Sequence, residues 1–110
     1  MAFTPKSVSF QLSSTGDSAI YTCPSSTQAI LKQLSLVEQA GADVTLNVYC
    51  RKGAGTSRRI TDKNYALPAN ESRSFADKVN NAILEAGDTL RGDCSTNNVV
   101  DGWLSLVEVT

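Results

Sequence analysis

The sequence predicts an all-β fold, an antiparallel β-sandwich of jelly-roll or immunoglobulin-like type with about eight strands. Apolar and polar residues alternate strictly in several segments, most clearly in 44–51 and 89–94, as they do in strands with one buried face. Residues typical of turns recur about every 8 to 12 residues, the spacing expected of a sandwich. At 110 residues, the chain has the usual size of one domain, so we predict a single domain over residues 1–110.

The N-terminal part of the chain contains two predicted strands. Residues 7–13 alternate, and residues 19–23 are rich in β-branched and aromatic side chains and are followed by Pro24. The turn residues 14–17 between them indicate a hairpin or two consecutive strands. Residues 1–6 are interpreted as either a frayed terminus or an N-terminal arm that lies on a neighbouring molecule.

Residues 26–40 fit two structures. Ser26 is suited to capping a helix and Gly41 to ending one, yet both alternating sets of residues in this segment contain apolar side chains, as in a strand buried on both faces. A tight turn at 41–43 leads into the clear strand 44–51. An antiparallel pair joined by that turn is therefore predicted, and it favours a strand.

The middle of the chain carries weaker signals. Residues 52–57 have the composition of a flexible loop, and they are followed by a short polar segment and by Tyr65–Pro68. A turn is predicted at Pro68–Glu71. Residues 72–86 are either a weak strand region or contain a short helix, because Phe75, Val79 and Ile83 have near-helical spacing.

The C-terminal quarter is predicted to form a corner and two strands. Gly87 permits a positive φ at this corner, and the Asp88 carboxylate is expected to accept hydrogen bonds from backbone N–H groups just beyond it. The corner is expected to set the last two strands in register. Residues 99–109 form the final strand, with Gly102 as a candidate β-bulge.

The composition limits the partners. The net charge is −1, so no overall field attracts nucleic acid or an anionic membrane, and neither is predicted as a partner. The N-terminus has no signal-peptide pattern and no segment approaches the roughly 20 apolar residues that span a bilayer, so we expect a soluble protein made in the cytosol. Cys23, Cys50 and Cys94 form no metal-binding pattern in a chain without histidine. They are predicted to be reduced and buried, with a disulfide as the alternative.

No catalytic chemistry is predicted. A chain without histidine has no Ser-His-Asp or Cys-His arrangement, and the GxSxG, HExxH, P-loop and GxGxxG motifs do not occur. Asp88 and Asp93 are five residues apart along a strand, so their side chains are expected on opposite faces. The acidic residues also lack the dense spacing of an EF-hand loop. We therefore predict a non-enzymatic protein with no catalytic residue, no metal site and no cofactor.

A family resemblance extends over most of the chain. The segments that carry it are Tyr21-Thr22-Cys23-Pro24, Gln28-Ala29-Ile30-Leu31-Lys32, Gly41-Ala42-Asp43-Val44-Thr45-Leu46-Asn47-Val48, Leu84-Glu85-Ala86-Gly87-Asp88-Thr89-Leu90-Arg91-Gly92 and Leu106-Val107-Glu108-Val109. They resemble small β-sandwich structural proteins of tailed bacteriophages, which are head decoration (cement) proteins or minor tail and baseplate components. The resemblance implies a virion protein assembled in the host cytoplasm. It further implies a dimer or trimer that binds the major capsid protein and stabilises the head.

Two alternatives accompany this expectation. The first is a tail, neck or baseplate accessory protein of the same virion. The second is a small lectin-like module that binds host-surface sugar, which would need exposed aromatic side chains along a groove. With seven aromatic residues in all, several of them needed for the core, the composition gives the lectin little support.

Four residues are candidate partner contacts. Arg58 and Arg59, preceded by Lys52, form the one local basic cluster, which is either a solvated loop or an electrostatic contact to an acidic surface. Phe3 and Lys6 are candidates through the predicted arm. Trp103 is predicted to be in the core because its neighbours are apolar; if exposed, it becomes the best candidate for an interface anchor.

Overall fold

The computed structural model describes residues 2–110 and contains two five-stranded antiparallel sheets. The elements are β1 (Phe3–Gln11), β2 (Ser18–Thr22), β3 (Gln28–Glu38), β4 (Val44–Arg51), β5 (Arg58–Arg59), β6 (Tyr65–Leu67), β7 (Ser72–Ser74), α1 (Ala76–Val79), β8 (Ile83–Leu84), β9 (Thr89–Cys94) and β10 (Val100–Val109). The first sheet has the order β1-β10-β3-β7, with β8 also paired to β3, and the second has the order β2-β9-β4-β5, with β6 also paired to β4. The predicted all-β class is confirmed.

One hydrophobic core lies between the sheets. Leu34 and Leu104 contribute to it from the first sheet, and Leu46 and Leu90 from the second; all four are fully buried. These residues belong to the apolar sets of the alternating segments, so burial of one face of each strand explains the pattern. Within residues 2–110, no helix is long and apolar enough to cross a membrane.

The first four strands alternate between the two sheets, which corrects two predicted pairings. β1 pairs with β10 and β2 with β9, so they do not form a hairpin. β3 and β4 are not paired either, because the turn at 39–43 carries the chain from one sheet to the other. The corner at 86–88 likewise precedes two strands, β9 and β10, that belong to opposite sheets, so it does not set them in register.

The buried carboxylate of Glu38 holds the turn after β3. Its Oε1 accepts hydrogen bonds from the backbone N–H groups of Gly41 (2.9 Å), Asn70 (3.1 Å) and Ala42 (3.3 Å), and its Oε2 accepts one from Ala40 (3.0 Å). These bonds join the 39–43 turn to the predicted turn at 68–71. In a strand, backbone N–H groups are satisfied by the neighbouring strand. In these turns the Glu38 carboxylate takes that part.

Segment 26–40 contains no helix, and a β-bulge explains why its pattern was ambiguous. Leu31 is opposite Leu106 and Gln33 is opposite Ser105, so Lys32 has no partner on β10. The extra residue shifts the inward-facing set from Ala29 and Leu31 to the even-numbered positions that follow. Alternation is therefore regular on each side of the bulge but reverses at Lys32. The bulge lies here and not at Gly102, where the register on both sides is continuous.

Segment 72–86 combines both predicted alternatives. β7 and β8 pair with β3, and the single helical turn α1 lies between them. Phe75 and Val79 are buried, but Ile83 belongs to β8 and is 58% exposed. The predicted helical stripe therefore does not extend to Ile83.

The predicted N-terminal arm is part of the first sheet over the residues described. Phe3 to Gln11 form the edge strand β1, which pairs along its whole length with β10. The backbones of Ala2 and Thr110 exchange two further hydrogen bonds of 3.0 Å. The strand begins at Phe3 and not at Ser7 as predicted, and its first residues lie at the exposed edge of the sheet. Met1, which the prediction included, lies outside the described residues.

Gly102 provides space for an aromatic ring on the inner side of β10. It is directly opposite Phe10, and a Cβ atom at position 102 would lie 2.1 Å from Cζ of that ring. Gly102→Ala should therefore displace the ring and lower the free energy of unfolding by about 1–3 kcal/mol. Urea unfolding measures this, with Ser105→Ala in the same strand as the control, for which we expect a change within about 0.5 kcal/mol. A Gly102→Ala protein as stable as wild type would show that the ring moves without cost.

Candidate interaction surfaces

An apolar row crosses the outer face of the first sheet. Strand register places Pro5 beside Val107, Val107 beside Ile30, and Ile30 beside Ile83. Phe3, which is 65% exposed, lies in the adjacent row opposite Val109. Successive side chains of a strand point to opposite faces, so the residues next to these in sequence point toward the core side of the sheet. The outer side of the first sheet therefore carries a second, solvent-facing apolar surface.

Trp103 lies further along the same face and is 53% exposed. Its neighbours across the strands are Ser9, Ser35 and Ser74, whose small side chains leave the indole standing above the sheet. Shallow clefts of about 470 and 270 Å³ flank it on the two sides. The predicted core position of Trp103 is therefore wrong.

The outer face of the first sheet, here called the Trp103 face, is almost without charge. Among its paired positions Asp101 is the only charged residue, and it accepts a 2.8 Å hydrogen bond from Nε2 of Gln11. The unpaired bulge residue Lys32 adds one cation, in a depression that Ser7 and Val107 also line. The ten-residue strand β10 spans about 33 Å, and four neighbouring strands cover roughly 19 Å. A face of about 600 Å² burying an equal area of a partner reaches the lower range of standard protein interfaces. The face is thus large enough to form a stable contact.

A signal for this exposure is present in the sequence. Leu104 and Leu106 are fully buried, and strict alternation places Trp103 with Asp101 and Ser105 on the opposite side. The apolar immediate neighbours therefore argue for exposure of Trp103, because side chains next to one another in a strand point to opposite faces.

The four predicted contact residues lie on separate surfaces. Phe3 belongs to the Trp103 face. Lys6 points to the other side of β1, where its Nζ lies 3.4 Å from Oε2 of Glu108, which also accepts a 2.6 Å hydrogen bond from the Tyr21 hydroxyl. Arg58 and Arg59, in β5, face opposite sides of the second sheet. The structure does not assemble them into one site.

Arg59 is held on the outer face of the second sheet. Its Nε donates a 3.1 Å hydrogen bond to Oδ1 of Asn47, and its guanidinium lies 5.4 Å from the centre of the Tyr49 ring. Asp93 accepts hydrogen bonds from the Tyr49 hydroxyl (2.8 Å) and the Asn47 amide (3.1 Å). The short polar segment after the predicted flexible loop therefore folds back onto this sheet, and Asn64 also donates its backbone N–H to Asn47.

Arg58 lines a cleft at the lateral edge of the sandwich. The cleft has a volume of about 360 Å³ and is lined by Cys50, Arg51, Lys52, Thr56, Arg58, Ile83, Leu84 and Asp88. Ile83 belongs both to this cleft and to the apolar row of the Trp103 face. The two surfaces are therefore continuous.

Asp88 fastens the loop after β4 to the corner before β9. Its Oδ2 accepts hydrogen bonds from Lys52 Nζ (2.8 Å) and the backbone N–H of Glu85 (2.9 Å), and its Oδ1 accepts one from the N–H of Gly53 (3.1 Å). The backbone donors come from before the aspartate and from another loop, not from residues just beyond it as predicted. Gly87 has φ of +87°, as predicted for the corner.

Three carboxylates have pKa values below their ordinary range. The N–H of Asn70, followed by those in the 40–42 turn, lowers the pKa of Glu38 against the effect of burial. The hydrogen bond from Ser57 and the guanidinium of Arg91 lower the pKa of Asp17. Burial alone would raise the pKa of Asp88, but Lys52 and the two backbone donors outweigh it and the pKa is lowered.

These shifts predict acid sensitivity. A carboxylate whose pKa is lower in the folded state stabilises the fold above its unfolded pKa, here 3.8 for aspartate and 4.5 for glutamate, and this contribution is lost as pH falls through the folded pKa. We expect a nearly constant melting temperature from pH 7 to pH 5 and a fall of roughly 10 °C by pH 3. Calorimetry across this range measures it; a melting temperature that rises below pH 4 would contradict the assignment.

The three cysteines are free. Cys23 and Cys94 are buried, as predicted, whereas Cys50 is only partly buried at the cleft. Over residues 2–110, no group of three or more histidine, cysteine or acidic side chains is arranged to hold a metal ion. Comparison of the chain with protein-family models, with curated proteins and with solved structures finds no match.

Proposed function

We propose that this chain is a non-enzymatic structural protein of a tailed-bacteriophage virion, a capsid decoration protein that binds the major capsid protein and stabilises the head. The observation that carries the proposal is the Trp103 face, a broad sheet surface with exposed Phe3, Ile83 and Trp103 and little charge. Exposed apolar side chains that gather on one face of a sheet mark protein contact surfaces. The resemblance of its turn and strand segments to small structural proteins of tailed bacteriophages, which include decoration proteins, supports the major capsid protein as the partner.

The contact is proposed to be a flat surface of the major capsid protein with little charge. A face with so little charge offers a weak electrostatic complement to an acidic or basic partner, so apolar burial must supply most of the contact free energy. Trp103 is the anchor of the contact, because an aromatic side chain between two clefts at the centre of an interface is the usual form of a binding hot spot.

The sandwich is proposed to be a jelly roll and not an immunoglobulin-like fold. If β5 and β6 are counted as one interrupted strand, and β7 and β8 as another, the chain has eight strands in the sheet orders 1-8-3-6 and 2-7-4-5. Two interlocked Greek keys produce these orders. A jelly-roll sandwich agrees with a role in which a rigid sheet carries the contact surface.

The protein is further proposed to act as a symmetric dimer or trimer. Each copy adds a modest interface, and closed symmetry together with repetition over the capsid lattice multiplies its effect. Such avidity makes the assembled head resist internal pressure even when one contact alone is weak.

Binding to expanded capsids tests the proposal. Purified protein should co-sediment with expanded capsids that lack it, and it should raise the temperature at which those capsids are disrupted. A tail, neck or baseplate role, the alternative within the same virion, predicts binding to tails and none to capsids. Failure to bind capsids and to raise their disruption temperature would refute the decoration role.

A further inference from the structure

The outer edge of β1 is the one long, regular sheet edge within residues 2–110. The strand has nine residues and pairs only with β10. The other edges belong to β5, β6, β7 and β8, which have two or three residues each, and to β2, whose register is interrupted at Ile20. Short and bulged edge strands resist pairing with another chain, whereas a long regular edge is a template for it.

Alternate residues of β1 point their backbone groups away from β10. The backbones of Ala2 and Thr110 exchange two hydrogen bonds and the register is continuous from there, so the even-numbered residues of β1 are the ones bonded to β10. The N–H and C=O groups of Ser7, Ser9 and Gln11 therefore point to the open side, where residues 2–110 supply no hydrogen-bond partner. Pro5 has the same orientation but no N–H, as expected of a proline in an edge strand.

We propose that a second copy of this chain pairs with this edge, so that the two β1 strands run antiparallel about a two-fold axis at Ser9. Ser9 then exchanges two backbone hydrogen bonds with Ser9 of the second copy, and Ser7 of each copy exchanges two with Gln11 of the other. No other antiparallel register uses the N–H groups of all three residues and also keeps Pro5 outside the new ladder. The edge is thus complementary to itself.

The side chains at this edge agree with the same register. Val8 and Phe10 are only partly buried by their own chain, and the pairing places Val8 of each copy directly opposite Phe10 of the other, on the core side of the sheet. Opposite side chains are closest at such non-hydrogen-bonded positions, and a pair of an aromatic with a β-branched residue stabilises a sheet. Residues 7–11 carry no charge that would oppose itself across the axis.

The pairing would join two Trp103 faces into one surface. Trp103 is opposite Ser9, so the two indoles are separated by three strand spacings, or about 14 Å. Because each copy has one such edge, the assembly closes at two copies and does not continue into a fibre. The dimer gives a definite form to the symmetric assembly of the proposed function, and in that respect it rests on it.

Sedimentation equilibrium of the isolated protein, from about 1 µM to about 1 mM, tests the dimer. Five paired residues extend only about 17 Å, so we expect weak association with a Kd of about 10–100 µM. Ser9→Pro removes an N–H that binds nothing within its own chain, so it should weaken the dimer at least about tenfold while the melting temperature stays close to that of wild type. Trp103→Ser should dimerise like wild type.

Cysteine substitutions test the register. They are made together with Cys50→Ser, which leaves only the two buried native cysteines. Ser9→Cys should form an intermolecular disulfide on mild oxidation, because the Cα atoms of a hydrogen-bonded pair lie about 5.5 Å apart. Ser7→Cys is the matched control and should not, since the two Ser7 residues are offset along the strands and lie roughly 14 Å apart. A non-reducing gel separates the two results.

Three outcomes would overturn the proposal: a monomer at about 1 mM, equal cross-linking of the two cysteine variants, or a dimer that Trp103→Ser abolishes and Ser9→Pro does not. A monomeric protein that binds expanded capsids would refute the dimer alone. A cross-linked dimer that binds no capsid would support the pairing and refute only the decoration role.

Discussion

Replacing Glu38 with alanine is expected to lower the melting temperature by roughly 10–20 °C, the largest effect we predict for any single polar residue. The substitution leaves the N–H groups of Ala40, Gly41, Ala42 and Asn70 without their shared acceptor and leaves a space where a fully buried side chain was. The two turns would lose this shared acceptor and keep only the bonds from Glu38 N–H to the Glu71 carbonyl (3.0 Å) and from Ala69 N–H to Asp43 Oδ1 (2.9 Å). Differential scanning calorimetry at pH 7 measures the change.

Glu38→Gln is the matched variant. It keeps the volume and one acceptor oxygen but presents an amide donor to at least one N–H that now donates to the carboxylate, so its melting temperature should lie between those of alanine and wild type. Glu71→Gln, at an exposed position of the neighbouring turn, should change little. If Glu38→Ala melted like wild type, the carboxylate would not hold the crossing between the sheets.

Replacing Trp103 with serine is expected to weaken binding to expanded capsids by about 30-fold to 1000-fold. The substitution removes the proposed anchor and turns its row across the sheet into serines alone. Because the indole is half-exposed, stability should change by no more than about 1 kcal/mol. Co-sedimentation over a concentration series measures the affinity, and urea unfolding measures the stability.

Two controls accompany this variant. Phe3→Ser removes an exposed aromatic side chain at the margin of the same face and should weaken binding by less than about tenfold. Arg59→Gln alters the opposite sheet and should bind as wild type. Wild-type affinity for Trp103→Ser, or an equal loss with Arg59→Gln, would contradict assignment of the contact to the Trp103 face.

Strands with one buried face could be predicted from local sequence. The alternating segments 44–51 and 89–94 coincide with β4 and β9. Every second side chain of such a strand is buried, so apolar and polar residues alternate in its sequence. Gly87 likewise could be placed in a positive-φ corner from residue type alone. Strand positions and turn conformations that depend on one or two neighbouring residues could thus be predicted from the sequence.

Pairing could not be predicted in the same way. The turn at 39–43 resembles a hairpin turn, and only the pairing of β3 with β10 and of β4 with β9 shows that it crosses between the sheets. The bulge at Lys32 is visible only in the register of β3 against β10. Whether a side chain on a short strand is buried also depends on the strand it pairs with. The place of Ile83 on the exposed face of the first sheet is therefore visible only from its pairing with Ile30.

Counting the copies of this protein in purified virions tests the central claim most directly. Quantitative mass spectrometry or gel-band densitometry against the major capsid protein gives the ratio. The account predicts copies on the order of hundreds per particle, as lattice-wide decoration by repeated contacts requires. A dozen copies or fewer, or absence from the particle, would contradict it.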